Sequence, residues 1–457
     1  MLETDYFRDG IASFGQRVRS GELTFETATR ACISRIVQLE PRLNAFETVD
    51  DERALITAKS LDQLLASGTD LGPLMGVCIA VKDIIAVDGL PTTNGSNYSA
   101  DRLKLSEGTL IQKLRSAGCI ILGKTKTVEF ALGATGINGA RGTPWNPWDA
   151  EQHRIPGGSS SGSAVAVAAG LCGFALGTDT GGSVRIPACY NGLSGHKTTL
   201  GLWPTDGIFP LCPTFDSVGP ICHRIEDTQI VHGVVTGQVS QTLPPLEGLK
   251  FGIPKQYFFD ELDPQVQEAF NESVESLKTA GVVMVEIDLP EAKERETIMP
   301  LIIGAEIISA VTADGFQKAY DGMDTVTRSR ASIGLDVKAH DYVGARKRAH
   351  ELQQLVTARC AHVDAVISPT CPMLAPALVP IDQSESVATR ALLSSRKTQP
   401  GNLFGMCATS IPLPVTGLPV GFQVMMPGGQ DNRLLAVSAA VQHCFGSTAA
   451  PDLERFV

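Results

Sequence analysis

Gly157-Gly158-Ser159-Ser160-Ser161-Gly162-Ser163 leads into Ala164-Val165-Ala166-Val167-Ala168-Ala169-Gly170, and Gly177-Thr178-Asp179-Thr180-Gly181-Gly182-Ser183-Val184-Arg185 follows a few residues on. Glycine and serine at this density usually make a linker, but the sequence between the two clusters is not linker-like. The alanine-rich run favours a buried helix, and Gly170 is placed to end it in a left-handed cap. Leu171 to Leu176 is short and apolar enough for a buried strand. The first cluster therefore opens a helix and the second follows a strand. Both settings expose backbone N–H groups suited to an anion.

An anion-binding turn also serves phosphate. Neither cluster has the spacing of a phosphate loop, and neither reads as a dinucleotide fingerprint. Tight turns packing a helix on a sheet would not by themselves need both clusters. Upstream, Val77-Cys78-Ile79-Ala80-Val81-Lys82-Asp83 suits a buried strand that carries a lysine at its end.

Taken together, the two clusters and Lys82 resemble the amidase signature family. Its pattern is a Gly-Gly-Ser-Ser-Gly-Gly-Ser-like loop, an alanine-rich helix and Gly-Thr-Asp-Thr-Gly-Gly-Ser-Ile/Val-Arg, with Ser161 here where glycine is commoner. Gly72 to Val77, Gly123 to Phe130, Asp216-Ser217-Val218-Gly219-Pro220 and Gly417 to Gln423 extend the similarity to about residues 20–440. One departure is Gly195-His196-Lys197-Thr198-Thr199, where Gly-Leu-Lys-Pro-Thr is usual. The resemblance implies a nucleophile at Ser183, a bridging serine at Ser159 preceded by a cis peptide, and a base at Lys82. It also implies an oxyanion hole at the backbone N–H groups of Thr180, Gly181 and Gly182. The fold implied is α/β, a central mixed sheet covered by helices on both faces, as one domain over residues 1–457.

The chemistry makes a demand on Lys82. An unperturbed lysine with a pKa near ~10.4 is only about 0.4% neutral at pH ~8, and lowering it to ~8 takes about 3.3 kcal/mol. Burial in an apolar strand supplies this, because desolvation disfavours the ammonium. Asp83 follows directly, but neighbours on a strand point to opposite faces. Ser–Lys pairing is a variant of the familiar serine–histidine logic.

None of the eight histidines sits in a nucleophile-elbow or His-Glu-x-x-His setting, and the eleven cysteines contain no Cys-x-x-Cys pair. No metal and no cofactor is therefore expected, and Cys189 and Cys212 read as core or pocket wall. The net charge of 38 − 49 = −11, without a basic run, argues against nucleic acid as a direct partner. Scattered cysteines and an acidic N-terminus lead us to expect a cytoplasmic protein with no membrane segment.

Residues 1–70 read as helices, with Thr24 capping a helix that ends before Pro41. Residues 72–230 alternate strands and helices and hold every candidate catalytic residue. Lys250 to Ile253 suits a strand, Asp263-Pro264 opens a helix, and Val282 to Ile287 resumes a strand. Residues 290–345 are the least family-like and are expected to shape the pocket, with Tyr342, Arg346 and Arg348 as polar candidates against a reading as surface cations. Ser368-Pro369-Thr370-Cys371-Pro372 reads as a rigid loop bordering the site.

A small-molecule amide is the expected substrate, cleaved through a Ser183 acyl-enzyme, and the resemblance makes a homodimer a fair expectation. Two alternatives use the same residues. One is the glutamine-hydrolysing A-type subunit of a tRNA-dependent amidotransferase, and the other is hydrolysis of carbamates, ureas or esters. A catalytically silent scaffold conflicts with three catalytic residue types standing at family spacing.

Overall fold

The computed structural model describes residues 2–239, 241–242, 244–378 and 393–457. Eleven strands form one mixed sheet in the order β1-β3-β2-β4-β6-β5-β10-β11-β9-β7-β8, flanked by helices. The strands are β1 (Phe46–Val49), β2 (Cys78–Lys82), β3 (Ile120–Thr125), β4 (Phe174–Asp179), β5 (Ser194–Lys197) and β6 (Ser217–Cys222). They continue as β7 (Lys250–Pro254), β8 (Val283–Ile287), β9 (Ala365–Pro369), β10 (Cys407–Pro412) and β11 (Gly421–Met426).

β2, β3 and β4 are mutually parallel, so Lys82, Thr125 and Asp179 end up at one edge of the sheet. All three strands are buried along their whole length, as strands covered on both faces are, and this explains their unbroken apolar character. The alanine-rich helix, Ser161–Ala168, is entirely buried and packs on β2, β3, β4 and β6. Small side chains let it lie close, and Gly170 at φ +62 ends it as expected. The following strand begins at Phe174, not Leu171, because Leu171 N–H still bonds back to Ala166 O at 2.9 Å.

Other expectations need adjustment. The N-terminal segment is not purely helical: between helices Phe25–Leu43 and Asp51–Ala66 the chain adds β1 antiparallel to β3. Thr24 does cap the first of these, accepting from Thr27 N–H at 3.0 Å. Pro41, however, lies inside that helix, which continues to Leu43 and ends through Asn44 in the left-handed region. Ser368 and Pro369 belong to strand β9, paired with β11, and not to a loop. Helix Pro264–Thr279 and β8 lie where expected, but Asp263 makes no side-chain cap and instead accepts from Leu374 N–H at 3.2 Å.

Among the described residues no single helix is long and apolar enough to cross a membrane.

Candidate active site

Lys82 is the last residue of β2, and its side chain is completely buried. Its Nζ donates to Ser159 Oγ at 2.7 Å and to Thr178 Oγ1 at 2.8 Å. Burial disfavours the ammonium and pulls its pKa down to about 7, against the opposing charges of Asp216 and Asp179. Asp83 is turned away, bonded to Lys124 Nζ at 2.8 Å and to Thr93. It therefore does not neutralise Lys82, in line with strand alternation.

Ser159 follows a cis peptide bond to Gly158. Its carbonyl accepts from Thr127 Oγ1 at 3.0 Å and Val128 N–H at 3.2 Å, which ties the loop to the segment after β3. Ser160 N–H donates to Ser183 O at 3.3 Å, and Thr178 N–H donates to Ser160 Oγ at 3.3 Å. The two glycine-serine clusters are thus laced together, as their sequence separation alone does not require.

Ser183 follows β4 and precedes the helix Arg185–Tyr190. It is 8% exposed and opens onto a pocket shared with Thr180, Gly181, Leu132, Arg330 and Gln399. Asp179 organises this turn. Its carboxylate accepts from Gly182 N–H (2.8 Å), Val184 N–H (3.2 Å), Arg185 Nε and Nη2 (3.0 Å each) and Asn402 Nδ2 (2.9 Å). Burial works against the carboxylate, but the Arg185 charge and hydrogen bonds prevail and hold its pKa far below the usual range. Arg185 is itself anchored on Gln423 Oε1 and Asn402 Oδ1.

One expected role changes. The Gly182 N–H is already committed to Asp179, which leaves Thr180 and Gly181 as the oxyanion-hole candidates from the expected set. Gly182 is still required at its position: φ is +122, and a Cβ would overlap Thr398 Oγ1. Thr180 Oγ1 donates to Asp216 Oδ1 at 2.5 Å, and Thr398 Oγ1 donates to Gly181 O at 2.8 Å, so both candidates are held by their neighbours. Burial pushes the Asp216 carboxyl up to about 6, opposed by its bonds from Thr180 and Cys212 N–H.

Because Arg185 is the cation beneath a fully buried carboxylate, Arg185→Ala should cost about 3–5 kcal/mol of stability. Chemical denaturation reads this directly, and a loss below about 1 kcal/mol would contradict the role given to the pair.

The histidines take no part in this pocket; His196, for one, lies against Asp431 at 3.2 Å. Among the described residues no group of three or more His, Cys, Asp or Glu side chains is arranged to hold a metal ion. Cys189 and Cys212 are buried, and Cys212 contributes its backbone N–H to Asp216 at 2.8 Å. From residues 290–345, Tyr342 bonds Glu306 at 2.6 Å, Arg346 reaches Tyr342 at 3.4 Å and Arg348 pairs with Glu294 at 2.8 Å. Ile303 and Arg330 line the pocket instead. Arg330 and Gln399 were not singled out by sequence reasoning, since neither belongs to a motif and both reach the site only through tertiary packing.

A mixed sheet with two serine loops gathered at the end of a buried lysine strand defines an amidase-type hydrolase. The Amidase family model matches residues 27–435, and the chain belongs to the amidase signature family. It is an amidase-family hydrolase acting on C–N bonds. It is 36% identical to the 2-amino-5-chloromuconic acid deaminase of Comamonas testosteroni, over 97% of this chain and 98% of that protein. It is 33% identical to the A-type subunit of the glutamyl-tRNA(Gln) amidotransferase of Acidothermus cellulolyticus, over 97% of this chain and 95% of that one. The solved peptide amidase of Stenotrophomonas maltophilia superposes with a TM-score of 0.84 at 25% identity, covering 96% of this chain and 98% of its own.

Proposed function

We propose that the protein hydrolyses a small carboxamide or related C–N bond through an acyl-enzyme on Ser183, with Ser159 relaying protons to Lys82. The observation that carries this reading is the buried Lys82 Nζ donating to Ser159 Oγ at 2.7 Å, beside the loop that presents Ser183. A lysine with a pKa of about 7 is mostly neutral at pH 8 and able to accept a proton.

In the acylation step Ser183 Oγ attacks the carbonyl carbon while its proton passes to Ser159, and the Ser159 proton passes to Lys82. The N–H groups of Thr180 and Gly181 face the developing oxyanion, and donors of this kind are worth about 2.7–4 kcal/mol each. Collapse breaks the C–N bond as the proton returns along the same path to the leaving nitrogen. Water then cleaves the ester, releasing the acid and restoring Ser183.

The sign of the pH dependence follows. The active form has Lys82 unprotonated, so kcat/KM for a neutral amide should rise about tenfold per pH unit below pH ~7 and level off above it. A profile flat from pH 5 to 9 would contradict Lys82 as the base.

A second reading is favoured by the amidotransferase relatives: hydrolysis of glutamine within a partner complex. The deaminase relative, whose name denotes an acid that loses an amino group, favours a small-molecule substrate instead. Ammonia or amine release from aliphatic and aryl amides, anilides, glutamine, a urea and a carbamate separates these readings. Turnover by the isolated chain that vanishes in Ser183→Ala supports the first. Weak glutaminase activity stimulated by a partner and tRNA supports the second, and an unchanged rate in Ser183→Ala would overturn the proposed nucleophile in either.

A further inference from the structure

In the acylation step a proton moves onto Lys82, so an ammonium forms in a fully buried place. A buried cation without a counter-charge is costly. The carboxylates to weigh are Asp83, which follows Lys82 in the chain, and Asp179 and Asp216, whose charges reach it. Asp83 is turned away and already holds Lys124 Nζ at 2.8 Å. Asp179 is already matched by Arg185 at 3.0 Å. Asp216 differs. Its oxygens accept from Thr180 Oγ1 at 2.5 Å and from Cys212 N–H at 2.8 Å, both neutral donors, and among the described residues no cation pairs with it.

Strand pairing brings Asp216 to this place. β4 and β6 run antiparallel with Thr178 opposite Val218 and Asp179 opposite Ser217, so the next pair in register is Thr180 and Asp216. Thr178 and Thr180 lean to one side of the chain and Asp179 to the other, as alternation requires. Thr178 Oγ1 accepts from Lys82 Nζ at 2.8 Å, and Thr180 Oγ1 donates to Asp216. Asp216, Thr178 and Ser217 also share a cavity of about 230 Å³ whose other walls include Ile84, Ile208, Phe209 and Val218. Apolar walls screen poorly, so the charge acts on Lys82 more strongly than it would across water. Of the two carboxylate charges that reach Lys82, that of Asp216 is the larger.

We propose that Asp216 is the counter-ion of the Lys82 ammonium and, through Thr180, a positioning residue for the oxyanion loop. This inference rests on the reading of Lys82 as the base. One carboxylate then serves two needs of the same step. It steadies the proton arriving on Lys82, and it fixes the turn whose N–H groups meet the oxyanion. The titratable groups facing Asp216 are Lys82, Glu306 and the Cys212 thiol, which burial keeps protonated. Glu306 is held in turn by Thr214 N–H at 3.0 Å and Tyr342 Oη at 2.6 Å. Burial, opposed by the Thr180 and Cys212 bonds, raises the Asp216 carboxyl to about 6; Glu306 pushes it up and Lys82 pulls it down. It is therefore ionised at pH 8.

Asparagine at this position keeps both hydrogen bonds. The Thr180 hydroxyl can turn to accept from the amide NH2 while the amide oxygen accepts from Cys212 N–H. Asp216→Asn thus removes the charge and little else, and Asp216→Ser removes it in a second way. The test follows labelling of Ser183 by a neutral alkyl fluorophosphonate across pH 5–9 in wild type, both Asp216 variants and Lys82→Met. Wild type should label faster as the pH rises and level off above ~7. In both Asp216 variants the midpoint of that rise should move to lower pH by about 0.5 unit or more, because an ammonium without its counter-ion gives up its proton more readily. Their plateau rate should fall about tenfold or more, since a weaker base takes the Ser159 proton less well. A slower plateau with the midpoint unmoved would mean a purely structural role and overturn the inference, as would wild-type behaviour in both variants.

Lys82→Met separates this inference from the reading beneath it. Loss of the pH-dependent rise in Lys82→Met, with no shift in either Asp216 variant, sinks the counter-ion alone. A rise retained in Lys82→Met but lost in the Asp216 variants makes Asp216 itself the titrating group and sinks both.

Discussion

Ser183→Ala should lower kcat/KM on whichever amide the wild type cleaves by about 10⁴- to 10⁶-fold, the range found when the nucleophile of a serine hydrolase is removed. The residue is 8% exposed at the pocket wall, and its side chain is smaller than those that fill the surrounding core. Replacing its hydroxyl by hydrogen removes little packing. The fold should therefore survive, with the thermal midpoint within a few degrees of wild type. Asp179, Arg185 and Thr398 would still hold the turn, because none of their bonds uses the Ser183 hydroxyl. Steady-state kinetics beside a melting curve separates loss of chemistry from loss of structure. Activity within tenfold of wild type would remove Ser183 from the mechanism.

Lys82→Met should cost about 10⁴-fold in kcat/KM, nearly as much, for a different reason. Methionine replaces most of the buried stem but cannot accept a proton from Ser159. It also removes the donor to Thr178 Oγ1, leaving two hydroxyls to rearrange. Because Lys82 is buried and held largely neutral near pH 8, removing its amine does not strand a partner carboxylate there. Stability should change by no more than about 1–2 kcal/mol, the usual cost of losing hydrogen bonds. Whatever activity remains should no longer bend near pH ~7. Retention of both the rate and the bend would mean that another group carries the proton.

How much of this was legible depended on whether a feature is local. The helix after the first cluster, its Gly170 stop and the buried Lys82 strand follow from runs of small or apolar residues. The lowered pKa of Lys82 follows from burial, which an all-apolar strand already implied. Pro41 misled because proline is tolerated near the end of a helix when the turn closes through Asn44. β1 was missed because four residues between two helices carry no period of their own, and only pairing with β3 makes them a strand. The occupied Gly182 N–H was out of reach, since nothing in the motif says where the Asp179 carboxylate folds back. Arg330 lies in the stretch expected to shape the pocket, yet three other residues there stood out. It reaches the pocket only through the packing of its helix, which is a property of the packed molecule and not of the sequence.

The central claim is that Ser183 is the nucleophile and Lys82 the base that activates it through Ser159. The most direct test is mass-spectrometric mapping of a fluorophosphonate adduct on folded wild type, Ser183→Ala and Lys82→Met, with the labelling rate followed across pH 5–9. The expected result is one adduct on Ser183 in wild type, formed faster as the pH rises through ~7, none in Ser183→Ala, and formation at least about 100-fold slower in Lys82→Met. An adduct on Ser159 or another side chain, or equal labelling of Ser183 with and without Lys82, would contradict it.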